Sequence, residues 1–305
     1  MLKRQLILTA LIFWFCVLTI NLMRPPVSDN AALTDASLSE KMSWKNRFDL
    51  VVAGDSRTLT GVSPQAMQSV LPGYKTGNLG FVALVYSQEY MDYIRMTLRS
   101  PVKNRVIVIG FSPRSLLSHE KPECLFRKWI NEARIPLKME LNRHSGWLHA
   151  LFRELSVGDL NIRFFETDRR YLIISFKSGW VASRLFPENA KASRNEYRNY
   201  FIKGKIDGEL LEVIYRNTKA WTREGIKVFG IRIPTSPGLF TIENKMSGFH
   251  EHRIRQRFEK SGGIWLNPDI SYFIAYDGSH ARYDSAVSYS KSLAQELRKF
   301  LDEKR

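Results

Sequence analysis

Three short apolar runs limit what this chain can fold into. Phe48–Ala53 (FDLVVA) ends at Gly54, Arg105–Phe111 (RVIVIGF) ends at a turn, and Ile226–Ile233 (IKVFGIRI) runs into Pro234. Continuous apolar runs of this length, rich in Val and Ile, are what strands of a parallel sheet look like when both faces are covered. Helical patterns fall between them. Ser63 offers an N-cap and Pro64 a first helical residue, opening a helix over Gln65–Leu71. Tyr74–Leu79 reads as a further strand. Ser87–Leu98 carries Tyr90, Ile94 and Leu98 at helical spacing, with Met91 on the neighbouring stripe. Glu209–Arg223 reads as a helix that stops before Gly225, and Asp284 is expected to cap a last helix over Ser285–Phe300, with Val287, Leu293 and Leu297 on its apolar face. Strands alternating with helices predict an α/β fold: a three-layer sandwich around a parallel, flavodoxin-like sheet with right-handed crossovers.

Composition agrees with a folded chain. Of 305 residues 44% are hydrophobic, with 18 Gly and 12 Pro, which excludes a disordered or collagen-like sequence. The two cysteines, Cys16 and Cys124, cannot make a disulfide scaffold, and no Cys/His cluster has the spacing of a zinc site. Between the strand ending at Phe111 and the helix opening at Glu209 lies Ser112–Gly208, far more than a strand-to-helix connection needs. It predicts an inserted, largely helical subdomain over about 112–208, containing Trp129, Trp147 and Trp180. A lid, a substrate groove, a surface resting on a bilayer and added core padding all remain open for it; if it is a lid or groove, deleting about Lys121–Lys205 is expected to leave a folded core.

The amino terminus predicts a membrane anchor. Gln5–Met23 holds no charged residue and as a helix would span about 28 Å, enough for the hydrocarbon core of a bilayer. A cleaved signal peptide would end in a small-x-small site, whereas Leu22-Met23-Arg24-Pro25-Pro26 follows here. Residues 1–24 are therefore read as an uncleaved anchor, 25–47 as a polar stalk, and 48–305 as the folded domain. Flanking charges do not orient the span, since Lys3 and Arg4 precede it and Arg24 and Lys41 follow. The short head before a long domain favours an extracytoplasmic, periplasmic-side domain.

Lys and Arg number 46 against 30 Asp and Glu, a formal net charge of +16. No nucleic-acid-binding motif accompanies that charge, so nucleic acid is not expected as a partner. Anionic lipid headgroups, an acidic glycan and a solvated basic surface are the remaining readings.

In an open parallel α/β sheet, ligands bind beyond the carboxyl ends of the strands. Gly54-Asp55-Ser56-Arg57 falls at that edge, where a serine in a strand-to-helix turn can expose its Oγ and lend its own N–H to an oxyanion. The same residue types also make plain turns. A serine nucleophile needs a base. Of six histidines, His119, His144 and His149 lie in the insertion, and His250 and His252 in a charged stretch read as surface. His280 closes Asp277-Gly278-Ser279-His280, just before the last helix. An Asp three residues before a His can accept its Nδ1–H, leaving Nε2 to take a hydroxyl proton.

A Gly-Asp-Ser block after the first strand and an Asp-x-x-His block before the last helix resemble the SGNH/GDSL hydrolase family. The resemblance covers about Phe48–Gly110 and Gly225–Phe300. It implies a nucleophilic Ser56, a His280 base oriented by Asp277, and an oxyanion donor from Gly77-Asn78-Leu79-Gly80, with the Gly80 N–H the candidate. The family's third block, Gly-x-Asn-Asp, is replaced here by Gly110-Phe111-Ser112-Pro113-Arg114. Its asparagine is missing, so Ser112, Arg114 or Asn78 must supply that donor, or the oxyanion site is weakened. With the anchor and insertion, the chain looks like the membrane-tethered branch that handles cell-surface polysaccharides, which includes O-acetyltransferase-like proteins. The implied activity is hydrolysis or transfer of an acyl ester on a glycan without metal or cofactor, alongside membrane polysaccharide-assembly proteins. A non-catalytic glycan-binding or scaffold member is the alternative.

Overall fold

The computed structural model describes residues 40–100, 104–123, 125–132 and 170–301, together with 5, 8, 9 and 11–15. Its strands are β1 (Leu50–Gly54), β2 (Thr76–Gly80), β3 (Val106–Phe111), β4 (Arg170–Ser175), β5 (Val181–Phe186), β6 (Lys227–Arg232) and β7 (Ile264–Trp265). Five form one sheet in the order β2-β1-β3-β6-β7, and every neighbouring pair is parallel. The doubly wound order places a topological switch between β1 and β3, where a crevice opens at the strands' carboxyl ends. The protein is thus α/β with a parallel sheet.

Strand alternation builds two cores. Val51, Ala53, Ile107 and Ile109 face one side, against α3 (Gln88–Thr97), α6 (Gly208–Arg223) and α8 (Glu251–Lys260). Leu50, Val52, Val106 and Val108 face the other, against α2 (Pro64–Val70) and α9 (Tyr283–Leu301). Between β1 and α2 lies α1 (Ser56–Gly61), and further helices of the domain are α4 (Leu125–Glu132), α5 (Arg194–Lys203) and α7 (Pro237–Met246). Two buried tyrosines tie the strand ends together: Tyr90 Oη accepts the Gly54 N–H and donates to the Leu79 carbonyl, both at 2.8 Å, and Tyr86 Oη donates to the Gly110 carbonyl at 2.8 Å.

Most expected elements stand within two residues of their limits, and Ser63 caps α2 through the Ala66 N–H. Asp284, expected as a cap, lies inside the first turn of α9 and takes the Ser285 N–H. Three expectations need correction. The packed domain starts near residue 40 rather than 48, because Lys41, Met42 and Trp44 are buried. The Lys41 Nζ, counted above as a flanking charge, donates to the Gly80 carbonyl at 2.6 Å, and burial pushes its amine well below its ordinary pKa. The insertion also includes the antiparallel hairpin β4–β5, so it is not simply helical. Its residues 133–169 and Cys124 lie outside the described residues, as do residues 16–39. Among the described residues no helix is long and apolar enough to cross a membrane; of the expected anchor, Gln5, Leu8, Thr9 and 11–15 are described and helical.

Candidate active site

Sterics and capping explain the Gly-Asp-Ser turn residue by residue. α1 passes so close to the end of β1 that a Cβ on Gly54 would meet Thr58 Oγ1 at 2.1 Å, so only glycine fits. Asp55 is the N-cap of α1, its Oδ1 accepting the Arg57 N–H at 3.0 Å. Ser56 then opens the helix at the sheet's carboxyl edge, where the first N–H groups have no intrahelical acceptor.

The second block folds as its spacing predicts. Asp277 Oδ1 accepts the Ser279 and His280 N–H groups at 2.8 and 2.7 Å, closing a tight turn. Gly278 adopts φ +96° within it, and a Cβ there would meet the Ala190 carbonyl oxygen at 2.3 Å. The turn aims the imidazole. His280 Nδ1 lies 2.7 Å from Asp277 Oδ2, and Nε2 lies 3.0 Å from Ser56 Oγ. With Nδ1–H donating to the carboxylate, Nε2 is the acceptor facing the serine hydroxyl. Burial works to raise the Asp277 pKa, but the His280 charge, its ring N–H and the two backbone N–H groups hold it down to about 2. Asp277 is therefore an anion at neutral pH.

The residues expected to bind an oxyanion are engaged elsewhere. The Gly80 N–H donates to Asn78 Oδ1 at 2.8 Å. The Asn78 amide donates to the carbonyls of Thr58 and Val62 at 2.8 and 2.7 Å, so this buried side chain caps the end of α1. Ser112 donates its hydroxyl to Asp55 Oδ2 and thereby holds the N-cap of the same helix. Arg114 turns to Glu120 Oε2 at 3.2 Å and stacks over the Tyr200 ring. Asn78 and Ser112 thus hold the helix that Ser56 opens, with Gly80 fixing Asn78, a role that spacing alone did not distinguish from oxyanion binding. The Ser56 N–H is the expected donor whose place in the first turn of α1 still suits the task.

The insertion supports this site directly. The Ser178 carbonyl accepts the Asn78 N–H at 2.8 Å, and Trp180 Nε1 donates to the Thr60 carbonyl at 2.9 Å, so the β4–β5 turn braces α1. The N–H groups of Asn189 and Ser193 donate to the carbonyls of Tyr276 and Asp277 at 2.7 and 3.1 Å. The described part of the insertion is thus bonded to both blocks, and deleting through residue 205 would remove these four hydrogen bonds.

Sequence reasoning missed a second layer of residues: Arg57, Tyr197, Glu243 and Ser279. Arg57 is 1% exposed. Burial works against its charge, but Glu243, with Tyr197 and Asp55, raises its pKa above the ordinary arginine value. Its one sequence signal was a lone arginine in the otherwise uncharged segment SRTLTG. No protein-family model matches the chain, and no curated protein matches it.

Proposed function

We propose that this chain is an SGNH-like serine enzyme, an acyl-ester hydrolase or O-acyltransferase, tethered by residues 5–23 with its domain on the extracytoplasmic side. Its substrate in this reading is an acylated cell-surface or exported glycan. One observation carries the proposal: Ser56, His280 and Asp277 form a continuous hydrogen-bonded chain, although Ser56 and His280 are 224 residues apart in sequence. That order of hydroxyl, imidazole and ionised carboxylate generates a serine nucleophile on unrelated folds.

Ser56 Oγ attacks the ester carbonyl carbon while its proton passes to His280 Nε2, and Asp277 stabilises the imidazolium. The Ser56 N–H meets the developing oxyanion. Collapse breaks the carbon–oxygen bond to the sugar, and His280 Nε2–H protonates the departing alkoxide. Water or a second sugar hydroxyl then gives its proton to Nε2 and attacks the acyl carbon; the bond to Ser56 Oγ breaks, Nε2–H returns its proton to Oγ, and acid or acylated sugar leaves. A fluorophosphonate probe tests this reading. The folded protein should label, and Ser56→Ala should remove the label.

The non-catalytic glycan-binding reading has an observation of its own, the engagement of Gly80, Asn78 and Ser112 in structural hydrogen bonds. It gains if the folded wild type resists the probe and does not cleave an aryl acetate. Binding through charge alone would instead weaken steeply with salt and ignore Ser56→Ala.

A further inference from the structure

The guanidinium of Arg57, the residue after the nucleophile, reaches the loop that carries the base. Its Nε donates to Ser279 Oγ at 3.1 Å, and Ser279 immediately precedes His280. The same hydroxyl shares a 2.8 Å hydrogen bond with Tyr197 Oη, whose ring lies under the guanidinium at 4.8 Å. Arg57 Nη2 meets Glu243 Oε1 at 2.6 Å, and the other Glu243 oxygen meets Arg232 Nη2 at 3.1 Å. Arg57, Glu243 and Ser279 are all buried. Backbone hydrogen bonds hold the loop to the insertion and to the β6–α7 turn, where the Ser236 N–H donates to the Gly278 carbonyl. Arg57 adds a bond from the loop to α1 itself.

A buried ion pair is weak evidence for net stability, since desolvation offsets much of the Coulomb gain. Its geometric consequence is more specific. The catalytic hydrogen bond joins two segments distant in sequence, and an error of about 1 Å between reacting groups can cost about a hundredfold in rate. We propose that Arg57 is a positioning residue, which clamps Ser279 to the nucleophile helix and so fixes the His280 imidazole at proton-transfer distance from Ser56. Glu243 and Tyr197 orient the clamp from α7 and α5. This inference rests on the serine-enzyme reading for its catalytic consequence, whereas the clamp itself is a statement about the loop.

Ser279→Ala is the informative variant, because it removes the clamp's acceptor and leaves the Arg57–Glu243 pair in place. With an aryl acetate, kcat per folded molecule should fall about 10- to 100-fold while KM stays within about twofold. Arg57→Gln should lose at least as much, and the double variant should be no slower than Arg57→Gln alone, as expected for two members of one unit. A merely structural role would lower the yield of folded protein and leave kcat per folded molecule unchanged; that result for Ser279→Ala overturns the proposal. If the wild type neither labels nor turns over, the enzyme reading fails instead, and hydrogen exchange decides the clamp. Amides of residues 276–281 should exchange faster in Ser279→Ala than in wild type, with α1 unchanged. Equal exchange in that loop refutes the clamp.

Discussion

The two halves of the site differ in what their polar atoms are committed to. On the proton-transfer side, Ser56, His280 and Asp277 bond to one another at 3.0 and 2.7 Å, and the carboxylate is kept ionised. On the opposite side the donors are used inside the protein: the Asn78 amide and the Ser112 hydroxyl serve the two ends of α1, and the Gly80 N–H holds the Asn78 side-chain oxygen. A residue type at the right place in a chain is therefore a poor guide to function until its hydrogen bonds are accounted for. An acyl-transfer site at this turn would need both a well-held serine and a stabilised oxyanion, and here the Asn78 amide and the Ser112 hydroxyl serve the helix.

The largest expected effect lies on the proton-transfer side. Asp277→Asn keeps the shape but favours the wrong imidazole tautomer, and turnover should fall by about 10⁴. Unchanged turnover of an aryl acetate would remove Asp277 from the mechanism. The same variant has a stability signature with a definite sign. The folded pKa of about 2 lies below the ordinary 3.8, so the wild type gains stability from this group above about pH 5 and loses it as pH falls toward 2. The gain is about 2 kcal/mol. The difference in unfolding free energy between wild type and variant should therefore close as the pH falls through that window, and a constant difference would contradict the ionised, paired carboxylate.

On the other side, Asn78→Ala should act on stability before rate. It takes their Asn78 partner from the buried Val62 carbonyl and Gly80 N–H and leaves the Thr58 carbonyl with the Val62 N–H alone, at a cost of about 3 kcal/mol. Denaturant unfolding measures it. A variant as stable as wild type but unable to label would return Asn78 to the oxyanion site and erase the contrast between the two halves.

What the sequence made legible follows from range. The Gly54-Asp55-Ser56 turn was readable because a close approach and a cap act within one turn, and the Asp277–His280 bond also closes locally. The sheet was readable from the continuous apolar runs of β1, β3 and β6. α7 and α8 were not foreseen; α8 buries only Ile254 and Phe258 among ten residues, too sparse a stripe to stand out. Strand β7 is two residues long and owes its place to β6. The Arg57–Ser279–Glu243 clamp joins three distant segments, and no local pattern encodes such a meeting. Lys41 misled for the opposite reason: its charge suggested surface, whereas the Gly80 carbonyl and the Phe81 ring receive it in the core.

The smallest expected effect separates the two roles of Ser112 most cleanly. If its hydroxyl serves Asp55, Ser112→Ala removes one hydrogen bond to a carboxylate that still holds the Arg57 N–H. The cost is then about 1.5 kcal/mol of stability, and the labelling rate of Ser56 should fall less than about tenfold. If the hydroxyl instead swings to the reacting carbonyl as substrate binds, its loss removes an oxyanion donor, and the rate should fall by about 10² to 10³ at nearly constant stability. The two outcomes move different quantities, so melting and labelling of this one variant decide whether the helix cap and the oxyanion site share a residue. A rate loss of that size would make Ser112, just after β3, stand in for the missing asparagine.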